Sequence, residues 1–219
     1  MRLTNGGVLR FIWMALVAAS LTVAGGGCWK TRDSRLFLAA SEGDVETVKS
    51  LIDAGENVNA RDEEGETPLM YAAVRAQTQV VPLLLRKGAQ IDAVSVNGET
   101  ALDRAASAGC TAVVRMLIEK GANKEIGVPL IDALSKGHLD IVGLLVANGA
   151  NVNAEDTAGD TALSYASKQG VPVEIIKEMI DAGGVVKHRN KQGKTAGDLA
   201  AENGHQEIAE LLKKAAGTP

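Results

Sequence analysis

The feature that most constrains the fold of this chain is a sequence repeat with a period of about 33 residues. The segment Glu66-Thr67-Pro68-Leu69 returns as Glu99-Thr100-Ala101-Leu102, and related segments begin at Asp160 and Lys194. A period of this size predicts a stack of similar units, because each unit can bury its apolar face only against its neighbours. Such a stack offers a long binding surface and no ready-made catalytic pocket.

Six copies can be traced, and each contains a turn that ends in Gly, an Ala-rich helix, a second Gly turn and a second helix. We place the copies at residues 33–65, 66–98, 99–127, 128–159, 160–193 and 194–216. Residues 1–28 form a leader before the repeats, residues 29–32 a short tether, and residues 217–219 a tail.

Two sets of positions predict how each unit is built. A Thr stands where its hydroxyl can accept a hydrogen bond from free amides at the start of a first helix. These N-cap candidates are Thr67, Thr100, Thr161 and Thr195. In the second helices, Val and Leu three residues apart predict one buried stripe. The stripe consists of Val48, Leu51, Val81, Leu84, Val114, Leu117, Val142 and Leu145.

These residues resemble the ankyrin repeat, which has this period and a Thr-Pro-Leu-His pattern. The resemblance extends from about Asp33 to Ala216. It implies an all-α solenoid of about six helix-turn-helix units, with hairpin-like fingers and a concave groove that binds other proteins. The His of the family pattern is absent, so its usual side-chain hydrogen bonds are not assured. Its positions hold Phe37, Met70, Asp103, Ile131, Ser164 and Asp198.

Other features of the repeats also predict local structure. Pro82 lies within the second helix of the second copy, where it is expected to remove an amide donor and kink the helix. The step from Thr100 to Val128 is five residues short, which predicts a clipped third finger after Asn123. His138 and His205 each follow a Gly between helices, and we expect them to cap the second helix.

The leader has the pattern of a secretory signal. Arg2 and Arg10 give it a basic start, a mainly apolar run of 14 residues extends from Phe11 to Ala24, and three Gly follow. This run is shorter than the roughly 20 residues that a membrane-spanning helix needs. The repeats are therefore expected outside the cytoplasm.

Cys28 comes directly after these small residues, an arrangement that resembles the signal of bacterial lipoproteins. The resemblance implies that Cys28 is lipidated and becomes the mature N-terminus. The family's usual Leu three residues earlier is replaced by Gly25. Two alternatives stay open, namely simple cleavage near residues 24–26, giving a soluble periplasmic protein, and an uncleaved anchor. We predict a periplasmic protein held at the cell envelope by a lipid.

Composition narrows the function classes. Without the first 27 residues, the chain carries 21 Lys and Arg against 27 Asp and Glu, a net charge of −6. An acidic protein is poorly suited to nonspecific nucleic-acid binding. No Gly-rich phosphate loop and no Cys/His set with zinc-ligand spacing is present. We therefore expect no catalytic residues, no metal, no cofactor, no nucleic-acid partner and a monomeric protein.

The finger tips and the exposed face of the first helices hold the candidate partner-binding residues. The first and fourth tips are acidic and the fifth is basic, so the charge order can steer a partner of complementary charge. Alternatively, the tips are polar simply because loops face water. Two exposed valines beside the clipped third finger suggest a notch that receives a partner loop. The candidates are Asp62, Glu63, Glu64, Arg75, Val94, Val96, Arg104, Lys136, Glu155, Asp156, Lys168, His188 and Arg189.

These observations predict a protein-binding module without enzymatic activity, exported to the periplasm or envelope. An alternative is an immunity protein that neutralises a toxic enzyme acting in the periplasm. An enzyme is the third hypothesis, and it lacks a recognisable set of catalytic side chains.

Overall fold

The computed structural model describes residues 33–123 and 129–217. The predicted leader, the tether, Cys28 and the shortened third finger lie outside these residues. The prediction of a lipid anchor therefore stays a prediction.

The described residues form twelve helices, arranged as six pairs, and no strand; one isolated β-bridge joins Glu155 to Thr161. The first helix of each pair has an odd number and the second an even number. They are α1 Asp33–Glu42, α2 Val45–Asp53, α3 Pro68–Val74, α4 Val80–Arg86, α5 Ala101–Ser107, α6 Thr111–Glu119, α7 Pro129–Lys136, α8 Leu139–Ala147, α9 Ala162–Gln169, α10 Val173–Asp181, α11 Ala196–Glu202 and α12 Gln206–Gly217.

The helices pack in two layers. Each first helix contacts its own second helix and the next first helix, and most second helices also contact the next second helix. Contacts are therefore made between neighbouring units, as expected for a solenoid. The predicted all-α solenoid is confirmed.

The predicted stripe of Val and Leu forms the core between the layers. All eight of its side chains are buried. Small residues on the first helices, such as Ala72, Ala73, Ala105 and Ala106, are fully buried and let these helices approach closely. Burial of each Leu contributes about 1.5–3 kcal/mol, so the stack is stabilised mainly by apolar contacts between units.

The four predicted Thr N-caps are confirmed, and two carboxylates replace the missing His of the repeat pattern. The hydroxyl of each Thr accepts a hydrogen bond from the amide three residues later. In the third copy, Asp103 Oδ2 accepts from the amide and the hydroxyl of Thr100, at 2.7 and 2.6 Å. Asp198 bonds to Thr195 in the same way. An Asp at this position thus closes the cap that a His closes in the family pattern.

The expectation that Pro82 kinks the second helix of its unit is wrong. Helix α4 begins at Val80, so Pro82 is its third residue. The first four amides of an α-helix have no partner within the helix, and a Pro there removes no helical hydrogen bond.

His138 takes the N-cap position of α8, as expected, but its side chain makes no capping hydrogen bond. Its Nε2 lies 3.2 Å from Ser107 O of the preceding unit. His205 lies over Gly170 of the preceding unit in a similar way. These imidazoles therefore join neighbouring units.

Candidate protein-binding surface

Equivalent positions on the first helices form a row that faces the fingers, and the residue types in this row differ from unit to unit. From α1 to α9 the row holds Leu38, Tyr71, Arg104, Asp132 and Tyr165. Leu38 is 55% exposed, while the other four are partly buried. The row is the surface on which finger and helix side chains meet.

The two tyrosines of this row hold the acidic finger tips in place. Tyr71 donates to Asp62 Oδ2 at 2.9 Å, and Tyr165 donates to Asp156 Oδ2 at 3.1 Å. Burial, and then the hydrogen bond to Asp62, raises the pKa of Tyr71 to about 12. Burial and the bond to Asp156 also raise the pKa of Tyr165.

The same aspartates close their own turns. Asp62 Oδ1 accepts from Glu66 N at 2.7 Å, and Asp156 Oδ1 accepts from Asp160 N at 2.9 Å. The carboxylates of Asp62 and Asp156, which the sequence places among the partner-binding candidates, therefore accept hydrogen bonds both from their own turn and from a tyrosine on a first helix. Their contact with a partner stays a prediction.

Neighbouring fingers are joined by backbone hydrogen bonds at matching positions. Val96 N donates to Glu64 O at 2.8 Å, which joins the second finger to the first. Lys191 N donates to Ala158 O at 3.1 Å, which joins the fifth finger to the fourth. The first and second fingers, and the fourth and fifth fingers, are therefore held together in pairs.

Arg104 lies between two fingers and pairs with a carboxylate from each. One of its terminal nitrogens contacts Glu66, and Nη1 lies 3.3 Å from Glu99 Oε2. The Arg104 side chain is 30% exposed, so both pairs are partly shielded from water. Arg104 is thus a structural link between fingers as well as a partner-binding candidate.

Asp132 occupies the next position of the row, and within residues 33–123 and 129–217 it forms no salt bridge with a Lys or Arg. It lines a cavity of about 490 Å³ together with residues of the second and fourth fingers. Burial, and then the negative charges of Asp103 and Glu99, raise the pKa of Asp132 to about 7 against the opposing effect of Lys136 and Arg104. The described residues lining this cavity are Asn97, Gly98, Glu99, Asp103, Asp132, Glu155, Asp156 and Thr157.

The exposure expected for the valines of the second finger is confirmed. Val96 is 76% exposed and Val94 is 39% exposed. Seven of the charged candidates also have exposed side chains, and their binding role stays a prediction. These seven are Glu63, Glu64, Arg75, Lys136, Glu155, Lys168 and Arg189.

The fifth finger tip is basic in sequence, but the side chains of His188 and Arg189 already interact with other residues of the chain. His188 Nε2 lies 2.9 Å from Gly159 O and 3.7 Å from Glu155 Oε1. Arg189 donates to Gly193 O and lies 3.9 Å from Asp198. His188 is half-buried, and its side chain contacts the fourth finger. Its contact with a partner stays a prediction.

Side chains that could support catalysis are not assembled within 33–123 and 129–217. Cys110 is half-buried at the start of α6, and burial raises its pKa, which disfavours the reactive thiolate. No group of three His, Cys, Asp or Glu side chains in these ranges is placed to hold a metal ion. None of the described helices is long and apolar enough to span a membrane.

Sequence reasoning missed Asp132, Tyr71 and Tyr165 as members of the surface. Each follows directly the position where the family pattern has its His, and an alignment of the six copies places all three in one row. The periodic pattern was therefore a usable signal, but the raised pKa of Asp132 depends on its burial and on charges from another unit.

Comparison with known proteins gives matches over most of the chain. The family model described as Ankyrin repeats (3 copies) matches residues 36–127 and 130–218. The Escherichia coli K12 ankyrin repeat protein YahD is 30% identical over 186 residues, which are 80% of this chain and 92% of YahD. The chain spans only 16% of the Arabidopsis thaliana E3 ubiquitin-protein ligase XBAT33, to which it is 38% identical over 84 residues, or 38% of its own length.

Among solved structures, one similar chain belongs to a complex. It is the structure of the Bdellovibrio bacteriovorus predatory endopeptidase Bd0816 with immunity protein Bd3460. The match is 33% identical with a TM-score of 0.69, and it covers 82% of this chain and 97% of that chain.

Proposed function

Because the chain belongs to the ankyrin repeat family, whose domains are generally non-enzymatic protein-interaction modules, we propose that it is an exported protein that binds and neutralises an enzyme. The enzyme class that we propose is an endopeptidase acting in the cell envelope. In this role the chain is an immunity protein and has no catalytic activity of its own.

The observation that supports this proposal is the similarity to the immunity protein in the Bd0816 complex. That protein is matched over 97% of its length, at 33% identity and a TM-score of 0.69. The similarity therefore extends over nearly the whole of the matched chain and not over a few repeats. The ligase XBAT33, by contrast, is matched over 16% of its length, so its activity gives no guide to this chain.

The geometry of the surface supports an inhibitor that binds as a rigid body. The finger tips are joined by backbone hydrogen bonds, and Tyr71 and Tyr165 fix their turns. A preorganised surface loses little conformational entropy on binding, which favours high affinity. An inhibitor needs high affinity, because it must keep its enzyme occupied at low concentrations.

The proposed location is the periplasmic side of the cell envelope, with a lipid on Cys28. The basic start, the apolar run from Phe11 to Ala24 and the position of Cys28 support it. Only residues 29–32 separate Cys28 from the first helix, a reach of at most about 14 Å. The first unit is then held close to the membrane, and the later units reach into the periplasm.

The proposed immunity function is tested with the full-length chain, produced in bacteria that also produce exported endopeptidases. Proteins crosslinked to the chain in intact cells are identified by mass spectrometry, purified, and assayed for peptide-bond cleavage with and without the chain. We expect an endopeptidase whose activity falls as the chain is added in equimolar amounts. Recovery of a non-enzymatic envelope protein instead contradicts the immunity role and favours a scaffold.

Location is tested with a Cys28→Ser variant. We expect the unmodified chain to fractionate with membranes and to carry the mass of a lipid on Cys28, while the variant loses that mass and the membrane association. A matched Cys110→Ser variant keeps both. A full-length leader in the cytoplasmic fraction contradicts the proposed export.

A further inference from the structure

We infer that the first helices hold an acidic segment of the partner protein along their C-terminal ends, which rests on the proposed function because it specifies how the endopeptidase is bound. We call this part of the surface the basic edge and define it by Arg75, Lys136 and Lys168. All three side chains are exposed, and they lie about one helical turn after the row that faces the fingers. Lys136 lies about 10 Å along α7 from Pro129, where the described part of the chain resumes.

The basic edge extends over the second to fifth units. Carboxylates occupy the equivalent positions only in the first and sixth units, as Glu42 and Glu202. Because packed helices lie 8–10 Å apart, the positive part of the edge is about 30 Å long from α3 to α9. The two last positions of each first helix hold, in chain order, Ser41 and Glu42, Val74 and Arg75, Ser107 and Ala108, Ser135 and Lys136, Lys168 and Gln169, and Glu202 and Asn203.

Other cations on the same surface already pair with carboxylates of the chain. Lys194 Nζ lies 2.6 Å from Glu202 Oε2, and Arg104 pairs with Glu66 and Glu99. By contrast, none of the three cations of the basic edge forms a salt bridge within residues 33–123 and 129–217. The basic edge is therefore the part of this surface that offers charged hydrogen-bond donors to carboxylates of a partner.

The charge of the fingers selects a protein segment over other anionic partners. Glu63, Glu64 and Glu155 are exposed at the tips of the first and fourth fingers, beside the same surface. A nucleic acid or an anionic membrane carries negative charge on every side, and would place like charges against these tips. A protein segment can present carboxylates to the basic edge and neutral or basic side chains to the fingers. An acidic protein segment is therefore the occupant that the charges favour.

The positions of the cations predict how far apart the partner's carboxylates lie. Helices α7 and α9 are neighbours, so Lys136 and Lys168 are separated by about 10 Å, and Arg75 lies about 20 Å before Lys136. A step of about 10 Å corresponds to about three residues of an extended chain or about seven residues of a helix. The segment is thus expected to carry acidic side chains at these intervals on the edge that contacts the first helices.

Neutral variants of the basic edge test this inference in the full-length chain. Arg75→Gln, Lys136→Gln and Lys168→Gln are combined, and affinity for the crosslinked endopeptidase is measured by calorimetry. We expect the affinity to fall about a hundredfold, because three charge pairs across the interface are lost. Thermal unfolding should change little, since these side chains are exposed in the free protein.

A matched control neutralises one Arg and two Lys on the second helices. Lys49→Gln, Arg115→Gln and Lys177→Gln change the net charge by the same amount at exposed positions away from the first helices. We expect this control to bind within about twofold of the parent chain and to keep the parent's decrease of affinity with added NaCl. The variant of the basic edge should lose most of that salt dependence. An equal loss of affinity in both triple variants would overturn the basic edge as the binding site.

Carbodiimide crosslinking reports directly on contact between lysines and carboxylates. The reagent joins an amine to a carboxylate without a spacer, so it links only side chains that touch. In the complex we expect Lys136 and Lys168 to be linked to Asp or Glu of one segment of the endopeptidase. Their partners should be about three residues apart if that segment is extended and about seven if it is helical. Lys49 and Lys177 should form no link to the endopeptidase.

The outcomes separate the basic edge from the proposed function. Unchanged affinity of the edge variant, or a complex in which neither Lys136 nor Lys168 is linked, overturns the inference and leaves the immunity role in place. A crosslinked partner that is not an endopeptidase contradicts the immunity role, and the same links and affinities measured with that protein then decide the basic edge. If the parent chain binds vesicles that contain phosphatidylglycerol and the edge variant does not, the edge binds an anionic membrane and the inference is overturned.

Discussion

The imidazole of His138 lies over Gly109 of the preceding repeat, so close that a Cβ on Gly109 would come within 2.6 Å of His138 Cε1. Gly109 has a φ of +75°, a backbone conformation that other residues rarely adopt. Two constraints therefore act at this glycine, its own backbone and its neighbour's side chain. Gln77 makes a comparable contact over Gly43 and donates to Ser41 O at 2.6 Å.

The first prediction compares two glycines with nearly the same backbone. Gly109→Ala is expected to lower the free energy of unfolding by about 2–3 kcal/mol, because it combines left-handed strain with loss of the His138 contact. Gly137→Ala is the control, with φ +76° and no atom within 4 Å of the added Cβ, and should cost about 1–2 kcal/mol. Urea unfolding measures both. Equal costs would show that the His138 contact contributes nothing.

The second prediction concerns ionisation of the two tyrosines that hold the fingers. They are the only tyrosines in the sequence, so absorbance at 295 nm reports on them alone. In a Tyr165→Phe variant we expect the remaining Tyr71 to ionise near pH 12 when folded, and near pH 10 in concentrated urea. The neutral form is favoured in the folded state, so this contribution to stability is lost between pH 10 and 12. Ionisation near pH 10 with the helices intact would argue against the Asp62 contact.

The third prediction follows from the raised pKa of Asp132. Between its ordinary value of 3.8 and about 7, the unfolded chain has lost this proton while the folded chain keeps it, so stability falls as pH rises. Asp132→Asn removes the buried charge and is expected to stabilise the protein by about 1–2 kcal/mol at pH 8, after allowance for solvent screening. At pH 4 the change should be close to zero. An equal effect at both pH values would contradict the raised pKa.

The fourth prediction tests the place of Pro82 in helix α4. Pro82→Ala should change the free energy of unfolding by no more than about 1 kcal/mol, because no helical hydrogen bond is gained and only the flexibility of the unfolded chain rises. Leu85→Pro, later in the same helix, should cost about 3 kcal/mol or more. Thermal unfolding followed by circular dichroism compares them. A large increase in the free energy of unfolding on replacing Pro82 would support the kinked helix expected from the sequence.

The fifth prediction concerns the exposed valines of the second finger. Val94→Ser with Val96→Ser removes apolar surface that is exposed in the free protein, so the stability of the fold should change by less than about 0.5 kcal/mol. If these side chains contact the partner, affinity should fall about tenfold or more, measured by calorimetry with the crosslinked endopeptidase. Val185→Ser, at a third exposed valine, is the matched control. Unchanged affinity would remove the two valines from the binding surface.

Much of the fold could be predicted from the sequence because its signals are local and repeat. A Thr that caps a helix bonds to an amide three residues away, as Thr100 does with Asp103 N, so the pattern and the contact lie in one short segment. The Val and Leu stripe is likewise set by helical spacing. Pro82 was misjudged because the start of a helix is less well defined in sequence than its existence.

The candidate site could be predicted less well, because its interactions join units about 30 residues apart. Asp62, Asp156 and His188 are charged or polar residues at finger tips, and sequence alone could not show that their side chains bond within and between fingers. Candidates such as Glu63, Lys136 and Lys168 are exposed, and their contact with a partner is still a prediction.

The sequence by itself determined that the chain is a stack of helix pairs, since a repeated apolar stripe can be buried only against a copy of itself. It also predicts a shortened third finger, because the step from Thr100 to Val128 is five residues short, and this finger lies outside the described residues. Only the tertiary structure decided which charged side chains meet between repeats. The pairing of Arg104 with carboxylates of two fingers, and the burial of Asp132 near Glu99 and Asp103, depend on side chains brought together from different repeats.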